Sequence, residues 1–209
     1  MNLRRWLDGW RFVLLTVLTV AFVRWAIEAM LDDFEVSLVI NEPWEHMRLR
    51  SRAAIGPEPP GNVWSNQSKS GVRLHFNDPE YGFLTPLARD FTIRTRNERV
   101  KSVRLSPQTE PLSLDDALEV VLGLHGQLHK KGWVAAQVLD DPAIADTPEW
   151  RAWFRNKTRH AMSLWLAGDR YQLMLELEPV NRPRRPTDER YSIILSIDEP
   201  WLFDQTGSH

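Results

Sequence analysis

Met162-Ser-Leu-Trp-Leu-Ala-Gly-Asp-Arg-Tyr-Gln-Leu-Met-Leu-Glu-Leu177 decides the fold class. Two strand-length runs, Met162–Ala167 and Tyr171–Leu177, flank Gly168-Asp169, residue types that favour the left-handed backbone of a tight hairpin turn. A helix of this length would show apolar residues every three to four positions rather than a turn dipeptide at its centre. The stretch is therefore an antiparallel hairpin.

Further strands follow on both sides. Tyr191–Ile197 alternates apolar and polar residues and is the last strand, reached through the extended, charged connection Arg182–Pro186. Upstream, Phe34–Ile40 and Val72–Phe76 alternate in the same way, and Asn77-Asp78-Pro79 ends the second. Phe91–Thr95 and Lys101–Leu105 pair as a hairpin across Arg96-Asn97-Glu98-Arg99. Trp133–Leu139 is a further strand, closed by the turn Asp140-Asp141-Pro142.

Helices interrupt these strands at three places. Ser113 caps the clearest, Asp116 stands at its third position, and Gly132 stops it. Leu114, Leu118, Val121, Leu122, His125 and Leu128 make its apolar face. Gly123 and Gly126 weaken it by propensity, so packing must hold it. A second helix starts near Pro43 after Asn41-Glu42, with Trp44, Met47, Ser51 and Ala54 on one side, and ends by Gly56. Thr147-Pro148 opens a third, carrying Trp150, Trp153 and Phe154. Hairpins with a few helices give an α+β domain, a mainly antiparallel sheet with helices on one face. Pro57–Gly71, rich in Pro, Ser, Asn and Gly, reads as a long loop.

The N-terminus tells where this domain works. Phe12–Val23 carries twelve uncharged residues, preceded by Arg4, Arg5 and Arg11 and flanked by Trp6, Trp10 and Trp25. A bilayer span needs about 20 apolar residues. Trp10 to Ile27 approaches that length if Arg11 and Arg24 snorkel to the headgroups. A cleaved signal peptide is the competing reading. Arg24-Trp25-Ala26-Ile27-Glu28-Ala29 contains no Ala-x-Ala site, which favours an uncleaved anchor, with Trp10, Arg11, Phe12, Phe22, Arg24 and Trp25 as its membrane residues. A buried N-terminal helix of a cytoplasmic protein is the remaining alternative. Three basic residues before the core against one after it place the N-terminus in the cytoplasm. The expected organisation is a cytoplasmic arm at 1–9, an anchor at 10–31, and a periplasmic domain at 32–209 tethered to the inner membrane.

Composition removes several function classes. A net charge of -2 does not indicate a nucleic-acid-binding chain. Without cysteine there is no thiol catalysis, thiolate metal site or disulfide. No nucleophile elbow, phosphate-binding loop or dinucleotide fingerprint occurs, and no cofactor is implied. His125 and His129 share a helix at metal-ligand spacing. The intervening residues lack a general-base Glu and no third ligand is placed, so a hydrogen-bonded core histidine is the simpler account of His125. Asp115-Asp116 suits a helix N-terminus by its dipole.

Candidate partner-binding residues come from bias rather than motif. Arg89–Arg104 holds six basic residues against two acidic ones. Strand alternation places Phe91, Ile93, Val103 and Leu105 on one face and Arg94, Arg96 and Arg104 on the other, a surface for an acidic partner or simply a solvated one. Arg48, Arg50 and Arg52 form a smaller cluster. Trp64, in the polar 57–71 stretch, either pins that loop or contacts a partner. Ile40-Asn-Glu-Pro-Trp44 is echoed by Ile197-Asp-Glu-Pro-Trp201, by duplication or coincidence.

A short arm, one anchor and a cysteine-free α+β domain without catalytic motifs make a layout that resembles the single-pass immunity proteins guarding proteobacteria against type VI secretion effectors. Val103-Arg-Leu-Ser-Pro-Gln108, Pro111–Leu118 and Lys131-Gly-Trp133 are similar to stretches of uncharacterised proteobacterial envelope proteins. The resemblance implies a protein partner and function by occlusion, with no turnover. A structural subunit of an envelope or secretion complex and an envelope hydrolase are the alternatives.

Overall fold

A computed structural model describes residues 35–136, 142–156, 160–181 and 189–200, the side chains of 68–70 excepted. The anchor segment, the Arg182–Pro186 connection and Trp201 lie outside them. No helix among the described residues is long and apolar enough to cross a membrane.

The domain is α+β. Eight strands, β1 (Glu35–Leu38), β2 (Val63–Phe76), β3 (Phe83–Arg96), β4 (Arg99–Leu105), β5 (Val134–Ala136), β6 (Ala161–Ala167), β7 (Tyr171–Pro179) and β8 (Tyr191–Asp198), form one sheet. Their spatial order is β1-β2-β3-β4-β8-β7-β6-β5, antiparallel throughout except for the parallel β1–β2 pair. Three helices, α1 (Trp44–Arg50), α2 (Leu114–Lys130) and α3 (Pro148–Asn156), complete it. The first four strands and the last four are two halves of the sheet, joined only where Ser102–Leu105 of β4 meets Leu195–Asp198 of β8.

The two hairpins lie where the alternation places them. Asn97 and Glu98 link β3 to β4 with φ of 53° and 60°, the left-handed pair that matches the twist of a two-residue hairpin. Gly168, Asp169 and Arg170 link β6 to β7.

Pro57–Gly71 is not a loop throughout, because β2 begins at Val63. Val63, Trp64, Ser65, Asn66 and Gln67 pair with Arg94, Ile93, Thr92, Phe91 and Asp90. Its polar residues are compatible with a strand because Val63, Ser65 and Gln67 point to water. The turn-like composition marks a wide bulge instead, in which residues 68–71 oppose Arg89 alone. Gly71 takes φ +75° there, and a Cβ would meet Leu87 Cβ at 3.1 Å. A second bulge near Pro86, which has no N–H to give the ladder, lets Leu74 N–H donate to Thr85 Oγ1 at 3.0 Å instead.

Helix α2 has the expected cap, with Asp116 N–H donating to Ser113 Oγ at 3.2 Å. Its buried face is Leu114, Ala117, Leu118, Val121, Leu124 and Leu128. Leu122 is only half-buried, so the face is turned slightly toward Leu124. Helix α1 stops at Arg50, because Ser51 takes an extended conformation and its Oγ bonds the Met47 carbonyl at 2.8 Å. Trp44 and Met47 are buried as expected, and Ala54 lies beyond the helix.

The core fills the space between the helices and one face of the sheet. Leu173, Leu175, Leu177, Ile193, Leu195 and Ile197 point into it from β7 and β8. Phe76, Phe83, Trp133 and Tyr171 cluster at one end with ring centroids 5.1–6.3 Å apart. Phe154 of α3 packs on Tyr191 at 5.5 Å, so this helix also lies on the core side.

The outer edge of β1 is covered by the chain that follows it. Arg52 and Ala53 N–H groups donate to the Glu35 carbonyl at 3.0 and 2.9 Å, and Ser37 N–H donates to Ser51 Oγ at 3.1 Å. Val39 N–H donates to Glu42 Oε1 at 2.6 Å. Little of that edge is left to pair with another chain.

Candidate functional site

Because side chains alternate across a sheet, packing every helix on one face leaves the other exposed. Register defines two rows across that open face. Val63, Arg94, Ser102, Asp198, Gln172, Leu166 and Val134 make the first, and Ser65, Thr92, Arg104, Ser196, Met174, Leu164 and Ala136 the second. Each row runs from β2 to β5. The β2–β4 end is polar and basic, and the β5–β7 end is largely apolar.

Where the halves meet, a trough of about 420 Å³ is lined by Thr92, Arg94, Ser102, Arg104, Gln172, Met174, Ser196 and Asp198. Gln172 is 6 % exposed. Ser196 Oγ is shut off from water and has no hydrogen-bond partner among the described residues. Partial withdrawal from water raises the pKa of Asp198, assisted by Glu199 and opposed by the Glu199 N–H, Arg94 and Lys101.

Arg94 and Arg104 thus lie on the open face as the alternation requires. Arg96 is exposed and closes the β3–β4 hairpin opposite Arg99. Trp64 is on the other face. It pairs with Ile93 and meets Phe91 edge-on at 6.1 Å, half-buried against the core. The structure therefore brings Arg94 and Arg104 to the trough, and leaves Arg96 at the hairpin and Trp64 on the other face. The smaller basic cluster is spent locally, since Arg50 bonds both Glu42 oxygens at 2.6 and 2.8 Å and Arg48 bonds Glu45.

Sequence reading missed Ser102, Gln172, Met174, Ser196 and Asp198 as neighbours of the arginines. Alternation gives the face of each residue, but only the β4–β8–β7 order makes them adjacent.

His125 lies elsewhere, at a second cavity of about 530 Å³ lined by Ala135, Ala136, Ile144, Met162, Leu164 and Trp165 among others. Its Nε2 is 2.9 Å from Ser163 Oγ, and Trp165 Nε1–H donates to the same oxygen at 3.3 Å. Burial lowers the His125 pKa to about 4, so the imidazole is neutral. Among the described residues no carboxylate orients the ring, as nucleophile activation requires. His129 is exposed, and no metal-ligating cluster occurs among the described residues.

Asp78 is a buried bridge between the β2–β3 and β6–β7 turns. It accepts hydrogen bonds from the N–H groups of Glu80 and Tyr81 at 3.0 Å, from Tyr171 Oη at 2.9 Å and from Arg170 at 2.5 Å. Burial alone would raise its pKa, but these donors outweigh it and lower it. Burial and Asp78 together push Tyr171 up to about 12. With every partner internal, this cluster is structural.

Comparisons of the chain with protein families, with curated proteins and with solved structures return no match.

Proposed function

We propose that this chain is a membrane-tethered binding protein of the periplasm, without catalytic activity, whose open sheet face occludes a protein partner. A secreted antibacterial effector is the partner class that best fits the layout, which makes the chain immunity-type. The observation that carries this reading is the pair of side-chain rows across seven strands on the face that carries no helix. At about 4.8 Å between strands the rows are about 29 Å wide. That width suits one side of a standard interface, which buries about 800 Å² per partner. The arginines at one end and the apolar residues at the other supply the polar steering and desolvated contact that such interfaces use. The segment 10–31 supplies the tether, with its basic flank keeping the N-terminus in the cytoplasm.

The test is co-expression of the full chain with each product of its neighbouring genes, directed to the periplasm. One product should be toxic alone, tolerated with the chain and co-purified with it. Failure of every product to be neutralised or bound refutes occlusion. Release of the chain from membranes by alkaline carbonate refutes the tether.

A further inference from the structure

We infer that the trough between β3, β4, β8 and β7 is a subsite for one carboxylate of a protein partner, an acidic side chain flanked by an apolar residue. The inference rests on the binding reading above and adds the chemistry of what is bound.

Three observations converge. Arg94 and Arg104 project from adjacent strands on the same face, one register step apart, as Arg94↔Ser102 and Thr92↔Arg104. Neither makes a hydrogen bond or short ion pair among the described residues, in contrast to Arg48, Arg50, Arg151 and Arg170. A guanidinium is a planar fork matched to carboxylate geometry, and two neighbouring forks can hold both oxygens of one carboxylate.

Ser196 Oγ, directly opposite Arg104 in register, is buried without a partner. A shielded hydroxyl without a partner costs free energy. An oxygen that water cannot touch is closed to a carboxylate oxygen too, so Ser196 marks the dry floor of the trough and the anion lies against the two guanidinia above it. Thr92 and Ser102 add two hydroxyls to the same wall.

The charge count selects the anion. Two guanidinia against the Asp198 carboxylate leave the lining with one net positive charge. A singly charged carboxylate neutralises it. A phosphate dianion would overshoot, and its second charge would double the repulsion that any anion meets at Asp198. Beyond Ser196 the row continues through Met174 to Leu164, and beyond Gln172 the other passes to Leu166. A residue next to the bound acid therefore lands on apolar surface, which favours an Asp or Glu beside Leu, Ile or Phe over an isolated ion.

The probes are N-acetyl-Glu-Leu-amide, its neutral counterpart N-acetyl-Gln-Leu-amide, and inorganic phosphate. Each is titrated into the detergent-purified full chain labelled with nitrogen-15 in arginine. Arg94→Lys and Arg104→Lys assign the two side-chain N–H signals. The acidic peptide should shift both signals saturably, at least tenfold more tightly than the neutral one or phosphate. Arg94→Gln should weaken it several-fold while the remaining arginine signals stay in place. Equal response to both peptides, tighter binding of phosphate, or shifts spread over all arginines would overturn the assignment. A chain that takes the acidic peptide yet neutralises no neighbouring product refutes occlusion and leaves the subsite standing. Neutralisation undiminished by Arg94→Gln and Arg104→Gln together refutes the subsite and leaves occlusion standing.

Discussion

Leu195 and Ser196 are neighbours in one strand, and they belong to two different molecules in effect. Leu195 faces the helices at 0 % exposure, between Leu105 and Leu175. Ser196 lies on the opposite face between Arg104 and Met174, with a hydroxyl that bonds nothing among the described residues. One face of the sheet spends its side chains on stability. The other carries polar and charged groups, among them Arg94 and Arg104, which make no hydrogen bond among the described residues, and such groups are where recognition is built.

Substitutions that separate the faces test this division. Leu195→Ala should cost about 4 kcal/mol in urea unfolding, since a packed central strand cannot collapse onto the lost volume. A loss below about 1 kcal/mol would mean the core face is loosely packed and the contrast is false.

The next effect is set by pH. The folded pKa of His125 is near 4 against an ordinary 6.5, so between those values the unfolded chain binds the extra proton and folding weakens as pH falls. Stability should be full above pH 6.5 and about 3 kcal/mol lower by pH 4. His125→Gln should flatten that part of the curve, and an unchanged slope would place the titration in another group.

The β3–β4 turn serves both faces equally and offers a gain. Glu98 holds φ +60°, a conformation that costs a non-glycine residue about 1 kcal/mol. Glu98→Gly should therefore raise the thermal midpoint by a few degrees, measured by circular dichroism; a fall would show that Glu98 stabilises the turn in some other way.

The smallest stability effect belongs to the open face. Arg104→Gln should alter unfolding free energy by no more than about 0.5 kcal/mol. A large destabilisation would make Arg104 part of the scaffold and erase the distinction between the faces.

Much of this architecture was legible before the structure, for local reasons. The Gly168-Asp169 and Asn97-Glu98 turns, the Ser113 cap and the alternation of β8 are each specified by residues a few positions apart. Arg94 and Arg104 were assigned to the outward face by that same alternation. Trp64 was not placed, because its neighbours Ser65, Asn66 and Gln67 look like loop until β3 is known to pair with them. The trough was invisible for a related reason. Ser102, Asp198 and Gln172 occupy one row only because β4 meets β8, a pairing no local pattern encodes. The same order separates the two Ile-x-Glu-Pro stretches, since Ile40 follows the edge strand β1 while Ile197 lies in the central strand β8. These strands are not equivalent in the two halves of the sheet, so the echo does not mark matching elements.

The β4–β8 seam also has a kinetic meaning. During synthesis the first half of the sheet emerges with Ser102–Leu105 of β4 as a bare edge, and its partner arrives roughly 90 residues later, about 5–20 s at ordinary translation rates. For that interval the nascent chain carries an open template for pairing with other chains. Lys101 and Arg104 place positive charge beside that edge, where it repels a second copy of the same strand until β8 closes it. Charge on this strand thus guards the unfinished sheet before it takes its place in the finished one.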